Sequence, residues 1–354
     1  MPGRLLSSLI VVLAGLLLPA ASLRADELEV VIRGIQEPVL GNVQALVEPF
    51  RLTGAGRLSR RRLEVFRVRA EDNAREALRP YGYYRPVVNA RITSTGERAW
   101  QLELDIDPGP PVIVAEAAVE VSGPGAGLEE LKAWRQAWPL QPGAVLVQPL
   151  WDEQKQDALD IAADRGYLLA QFPRRRMAID LERNEARLDL ELDTGEQAVM
   201  GEVTFEQDVV RPAILQSVPR FAPGDPYDAW LMERFRIDLW RAGYFRNIEV
   251  VERRDLEASP PRVDLNVRLE PRPPNTWQGT IGVGSDTGIR GQLSWDRHLI
   301  SERGDSFRVN AGAQDHNNQF FVQGGYRVPR ETQTRQAWIC LLYTSDAADD
   351  VSTV

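Results

Sequence analysis

The chain has 354 residues, a formal charge of −9 and no long run of Lys or Arg, which excludes a nucleic-acid binder and fits several small domains better than one. Two histidines, His298 and His316, and one cysteine, Cys340, supply no His/Cys cluster for zinc and no disulfide within the chain.

Arg4 precedes an apolar run from Leu5 to Leu18 broken only by Ser7, Ser8 and Gly15; Pro19, Ala20, Ala21 and Ser22 follow. A positive start, a short apolar stretch and small residues predict a secretory signal peptide over residues 1–25, cleaved after Ala21 or Ala25. The run is shorter than the roughly 20 apolar residues of a membrane span.

Leu28, Val30 and Ile32 then alternate as a strand, and residues 37–50 read as a helix. Ser59 stands as the N-cap of a second helix whose apolar face is Leu63, Phe66, Ala70, Ala74, Ala77, Leu78 and Tyr81; Pro80 ends it near Arg79. Residues 87–93 form the next strand. Trp100, Leu102, Leu104 and Ile106 alternate with Gln101, Glu103 and Asp105 in a strand with one buried and one wet face. The same strand returns as Ala186, Leu188, Leu190, Leu192 and as Val263, Leu265, Val267, Leu269, so its last apolar position recurs at 106, 192 and 269. Gly82-Tyr83, Gly166-Tyr167 and Gly243-Tyr244 recur in phase with it, each closing a helical stretch as a glycine C-cap does. An internal repeat decides the architecture.

Each repeat reads strand, helix, helix, strand, strand. In the second, Val119 and Val121 mark a strand, residues 128–138 a helix, and Pro142-Gly143 separates it from a helix starting near Trp151. In the third, Val203 and Phe205 alternate, and Tyr227, Leu231, Phe235 and Leu239 mark a helix at i+4 steps. Two helices on one face of a three-stranded sheet give an α+β sandwich of two layers.

After Pro273-Pro274 helical spacing disappears. Trp277, Gly279, Ile281, Val283; Ile289, Gly291, Leu293, Trp295; Phe307, Val309, Ala311, Ala313; and Phe320, Val322, Gly324, Tyr326, Val328 form four alternating strands joined by turn-rich segments. Strands of about ten residues, apolar on one side and carrying Arg290, Gln292, Arg308, Asn310, Gln323 and Arg327 on the other, predict membrane β-barrel strands with a wet lumen. A soluble antiparallel sheet is the alternative.

This order resembles the POTRA-plus-β-barrel outer-membrane assembly factors. Three repeats resemble the TamA branch, the outer-membrane subunit of the translocation and assembly module; BamA carries five such units and two-partner secretion translocators two. The run Gly279–Gly288 also resembles that family's first barrel hairpin. The division implied is a signal peptide at 1–25, POTRA-like units at 26–110, 111–196 and 197–272, barrel strands at 275–335 and an atypical tail at 336–354. Family barrels have about sixteen strands, and alternation here covers four or five. From Trp338 onward it fails, so the tail reads as foreign sequence or as an unusual fifth strand with an acidic end. Without closing strands the sheet forms no closed pore, because open edges in lipid leave backbone groups unpaired.

The resemblance implies a non-enzymatic factor of a Gram-negative outer membrane, with residues 26–272 in the periplasm, that assembles autotransporters or other β-barrel clients. It implies contact with outer-membrane lipid and a partner, the inner-membrane-anchored TamB, docking on the first unit; no nucleic acid and no cofactor are expected. A two-partner secretion translocator and a periplasmic POTRA scaffold are the alternatives. Client-binding sheet edges are expected in the middle strands, at Val87, Val88, Leu168, Leu169, Phe245 and Ile248, because an exposed edge pairs with an incoming strand through backbone bonds. The glycine-rich first barrel strand, with Trp277, Gly279, Ile281 and Val283, is the expected lateral gate. No catalytic or metal site is read: Gly282–Gly288 lacks the Lys-Ser/Thr of a phosphate loop, and no serine elbow or carboxylate pair occurs.

Overall fold

The computed structural model describes residues 27–47, 59–97, 99–284, 288–314, 319–330 and 333–346. The stretch read as a signal peptide, the last residues of the helix read over 37–50, the segments 285–287 and 315–318 read as turn-rich, with His316, and the last eight residues lie outside these. The described residues fall into two compact units: Met1–Ala115 with Pro142–Pro149 and Ile179–Ala186, and Glu116–Gln141 with Leu150–Ala178 and Arg187–Val354.

The first repeat runs β1 (Glu27–Arg33), α1 (Val39–Val47), α2 (Arg60–Leu78), β2 (Val87–Ser94), β3 (Ala99–Asp107). The Ser59 hydroxyl accepts from the Arg62 N–H at 3.3 Å and so starts α2, as expected of an N-cap. All the expected apolar positions of α2 from Leu63 to Leu78 are buried. β3 is the central strand, parallel to β1 and antiparallel to β2, and buries Leu102, Leu104 and Ile106 against α1 and α2. The Asn42 and Asn73 side-chain amides donate to the carbonyls of Ala77 (2.6 Å) and Leu46 (3.0 Å), fixing α1 on α2.

The second repeat has the same order: β4 (Ile113–Ser122), α3 (Glu129–Gln136), α4 (Gln148–Asp164), β5 (Gln171–Asp180), β6 (Glu185–Asp193), with β6 central. Trp134, Trp138 and Trp151 meet edge to face at 5.5 and 5.9 Å, and the indole N–H groups of Trp134 and Trp138 donate to the carbonyls of Gln154 and Leu140.

The third comprises β7 (Val199–Glu206), α5 (Pro212–Gln216), α6 (Ala229–Ala242), β8 (Phe245–Asp255) and β9 (Arg262–Pro271), with β9 central. One expectation is corrected here. Tyr227 is buried but precedes the helix, and Met232, not Leu231, joins Phe235 and Leu239 in the core. A strict i+4 series drifts about 40° per step around a helix, so a face three turns long must mix steps of three and four.

The Gly-Tyr corners do more than end helices. Gly82 and Gly166 have φ of +87°, the left-handed conformation that glycine adopts without strain. A Cβ on Gly82 would stand 2.7 Å from the Leu146 carbonyl oxygen, and one on Gly166 2.5 Å from that of Tyr227. The chain leaving each repeat returns to its corner: Val112 N–H donates to Gly82 O (2.9 Å), Ala198 N–H to Gly166 O (2.8 Å), and Arg272 N–H to Tyr244 O (2.9 Å). Gly243 differs, since nothing crowds its Cβ position.

The last sheet is antiparallel in chain order: β10 (Asn275–Gly284), β11 (Gly288–Arg297), β12 (Ser306–Gln314), β13 (Gln319–Arg330), β14 (Gln333–Asp346). The register brings Trp277 opposite Trp295, Gly279 opposite Leu293, Leu293 opposite Ala311 and Ala311 opposite Val322, so the apolar positions share one face. Gln292, Gly312, Asn310 and Gln323 share the other. The tail pairs with β13 through Asp346, so over this stretch it is a fifth strand. Its register sets Ile339, Leu341 and Tyr343 opposite Arg327, Gly325 and Gln323, on the face that is polar elsewhere.

Candidate functional site

Three strand edges and one turn carry the residues singled out from the sequence. In each repeat the middle strand, β2, β5 or β8, is an edge, because the last strand inserts between the other two.

On β2, Val87 is 56% exposed and Val88 is buried. The outward backbone groups of this edge are already engaged. The Glu71 carboxylate accepts from the Ala90 N–H at 3.0 Å, and the Arg75 guanidinium donates to the Val88 carbonyl at 3.3 Å. Glu71 is held in turn by Arg67 at 2.8 Å. An edge capped in this way by helix side chains offers fewer groups to an incoming strand. Nothing in the spacing of α2 announced this, because it depends on where the helix lies over the edge.

β5 begins at Gln171, so Leu168 and Leu169 lie in the turn ahead of it and not on the edge. Leu168 packs against the core of the third repeat and Leu169 is exposed. The expected strand start fails because Gly166 and Tyr167 are spent on the corner: Tyr167 N–H returns to Ala162 O and Ala170 N–H to Tyr167 O, a turn instead of extended chain.

On β8, Phe245 is fully buried and Ile248 packs into the same core, so both face inward from the edge. Among the described residues no side chain bonds to the outward backbone of β8. Beside it runs a groove of ≈ 420 Å3 lined by Glu233, Arg236, Ile237 and Trp240 of α6 and by Arg246, Asn247, Ile248 and Val250 of the strand. Trp240 is 67% exposed. The off-phase position of Trp240 on α6 was legible in the sequence, since it falls outside the apolar series ending at Leu239.

The corner between the second and third repeats is polar. Arg165 pairs with Glu130 and, at 3.0 Å, with Asp228, whose other oxygen accepts from Trp230 N–H and caps α6. Hydrogen bonds from its own backbone and then from Arg165 hold the Glu130 carboxyl below the ordinary carboxylate range. The third repeat meets the turn after β11: Arg211 N–H donates to Glu302 O at 3.1 Å, and Leu299 packs on the repeat's core. Burial raises the Tyr244 hydroxyl above its ordinary range.

β10 is one edge of the five-stranded sheet, β14 the other. Trp277, Ile281 and Val283 are 65, 84 and 80% exposed, and a Cβ on Gly279 would touch nothing. Among the described residues no group of three His, Cys, Asp or Glu is placed to hold a metal. No helix there is long and apolar enough to cross a membrane, a statement that does not bear on strands.

Residues 29–108 match the family model of the POTRA domain, TamA domain 1. BamA from Haemophilus ducreyi lacking POTRA domains 1–3 is similar with a TM-score of 0.52 at 15% identity, over 68% of this chain and 44% of that one. The chain thus spans less than half the length of that BamA structure. POTRA3–5 of Haemophilus influenzae BamA match at 18% identity and a TM-score of 0.38, over 70% of this chain and 96% of that one. CdiB from Acinetobacter baumannii matches at 14% identity and a TM-score of 0.37, over 62% and 42%. At these identities the likeness is one of fold.

Proposed function

We propose, for a chain with the fold of the POTRA-plus-barrel outer-membrane assembly superfamily, that it is a TamA-type assembly factor whose three repeats stand in the periplasm and whose last strands belong to an outer-membrane barrel. One observation carries this reading. The strands after Pro274 keep their apolar side chains outside, from Trp277 to Val322, instead of in a core. Such a face is stable only against lipid or another apolar surface.

The work proposed is binding and insertion, with no enzymatic step. A client strand adds first to the open β8 edge, its side chains reaching the Ile237–Trp240 groove. It then reaches β10, the edge of the membrane sheet that follows the third repeat in the chain. β10 has glycine at 279, 282 and 284, and a glycine-rich strand holds its pairing weakly. Autotransporters and other barrel proteins are the proposed clients. The TamB-type partner is proposed to meet the first repeat, whose capped β2 edge leaves its helical face and β1 for docking.

Crosslinking tests this directly. A photo-reactive residue at Ile281 or Val283 should capture a stalled autotransporter in cells, and one at Val88 should not. Capture at Val88 with none along β10 would overturn the assignment of the gate.

A further inference from the structure

The third repeat and the last sheet border a common cavity of ≈ 340 Å3. Arg241, at the end of α6, and Arg272, just past β9, line it from the repeat, and Arg308 and Arg327 line it from β12 and β13. The register sets Arg308 opposite Asp296 and Arg327 opposite Ser306, on the polar face of the sheet. Asp296 is the one carboxylate in the lining, and Arg308 pairs with it. Arg241, Arg272 and Arg327 have no carboxylate partner among the described residues, although Arg272 and Arg327 are half-buried. A guanidinium drawn partly out of water without a counter-charge is unfavourable, and an arriving anion relieves it. A neighbour senses the excess of positive charge: burial, and then the charges of Arg272 and Arg308, hold the His298 imidazole below its ordinary range.

The cavity adjoins the groove beside β8. Trp240 lines the groove and Arg241, the next residue, lines the cavity. Tyr244 borders the cavity, and Arg246, at the start of β8, lines the groove. A strand added to the β8 edge therefore has one of its ends at the mouth of the cavity. The Asp296–Arg308 pair shows the kind of group that these arginines take, a carboxylate.

We infer that the cavity is a carboxylate subsite for the strand that adds to β8, and that it selects extended peptides with an Asp or Glu at the end that reaches Arg272 and Arg327. Backbone pairing along β8 tolerates many sequences, so the ion pair at the strand's end adds selection and fixes its direction. An anionic lipid fits less well, because the arginines of the sheet stand on its polar face while its apolar side chains occupy the other. The inference rests on the reading of β8 as a client edge.

The test uses the full chain in detergent and blocked, fluorescent peptides of alternating Val and Thr. One carries Asp at its first positions, one carries Asp at its last, and in controls the Asp residues are Asn. Anisotropy gives the affinity of each. One of the two Asp peptides should bind about tenfold tighter than its Asn control, an advantage that shrinks as salt is raised. R272Q/R327Q should abolish that advantage, and R290Q, at the far end of β11, should keep it. The ratio of Asp to Asn affinities within each variant cancels any common loss from altered folding. Equal binding of Asp and Asn peptides would overturn the subsite and leave β8 as an edge without charge selection. An advantage that survives R272Q/R327Q would place the carboxylate elsewhere and overturn the assignment. Phosphatidylglycerol micelles that displace the Asp peptide but not the Asn peptide would make lipid the ligand and overturn the peptide reading. Binding of none of the peptides would overturn the reading of β8 itself, and the inference with it.

Discussion

β3, β6 and β9 carry the same period-two pattern as β10 to β13, yet the fates of their apolar side chains are opposite. Leu104, Leu190 and Val267 are buried in the cores of their repeats, whereas Ile281, Val283 and Leu293 are exposed on one face of the last sheet, where no described helix packs over them. Alternation therefore reports that a strand has two unlike faces, not which solvent each face meets. The deciding signal lies between the strands. Helices stand between the strands of the repeats, and among the described residues none stands between the strands of the last sheet.

The largest effect should come from emptying a core position. L190A removes a side chain buried at the centre of the second repeat and should cost about 2–5 kcal/mol. I281A should leave the urea unfolding of the repeats within about 0.5 kcal/mol, since Ile281 packs against no core. Equal losses in the two variants would erase the contrast between the sheets.

A charge sharpens the same contrast in lipid. I281R places a guanidinium on the apolar face and should oppose insertion by about 2–4 kcal/mol if the residue lies near the bilayer midplane. Q292R, on the opposite face, should insert like wild type. Vesicle flotation of the two variants reads the difference, and identical behaviour would mean that neither face meets acyl chains.

Smaller effects distinguish the corners. G166A forces a side chain against the Tyr227 carbonyl as well as into left-handed backbone, so it should cost more than G243A, where only the backbone term of about 1–2 kcal/mol applies. Thermal unfolding of the two variants gives the order. From the sequence, glycine at these positions was legible as a helix stop. Its second role was not, because the crowding carbonyl comes from a residue some sixty positions away, and no local pattern encodes it.

The central strands, the β-α-α-β-β order, the Ser59 cap and the faces of the last sheet are local, periodic features, and each stands where its spacing put it. Leu168 and Leu169 were misplaced because a corner turn uses the residues that alternation assigned to a strand. Residues 333–346 form a strand without alternation because β13 offers them a free edge, and backbone pairing does not ask for a pattern. The closure of β2 by Glu71 and Arg75 was invisible, since it depends on where α2 lies over the edge.

That closure yields the smallest and most specific difference, between two edges of the same type. E71A removes the acceptor of the Ala90 N–H and should destabilise the first repeat by about 1–3 kcal/mol, because the carboxylate bond is charge-assisted and part-buried. Water reaches this edge, which favours the lower end of that range. At the same time the variant frees an N–H that a foreign strand can use, so a β-strand peptide should crosslink to residues 88–92 more readily than in wild type. W240A should do the reverse on the third repeat. Its ring is exposed, so stability should move by less than about 0.5 kcal/mol, while capture of the same peptide along β8 falls because the groove loses its apolar wall. If E71A gained no capture and W240A lost none, side chains beside the edges would have no say in which edge receives a strand, and the two repeats would be interchangeable in that role.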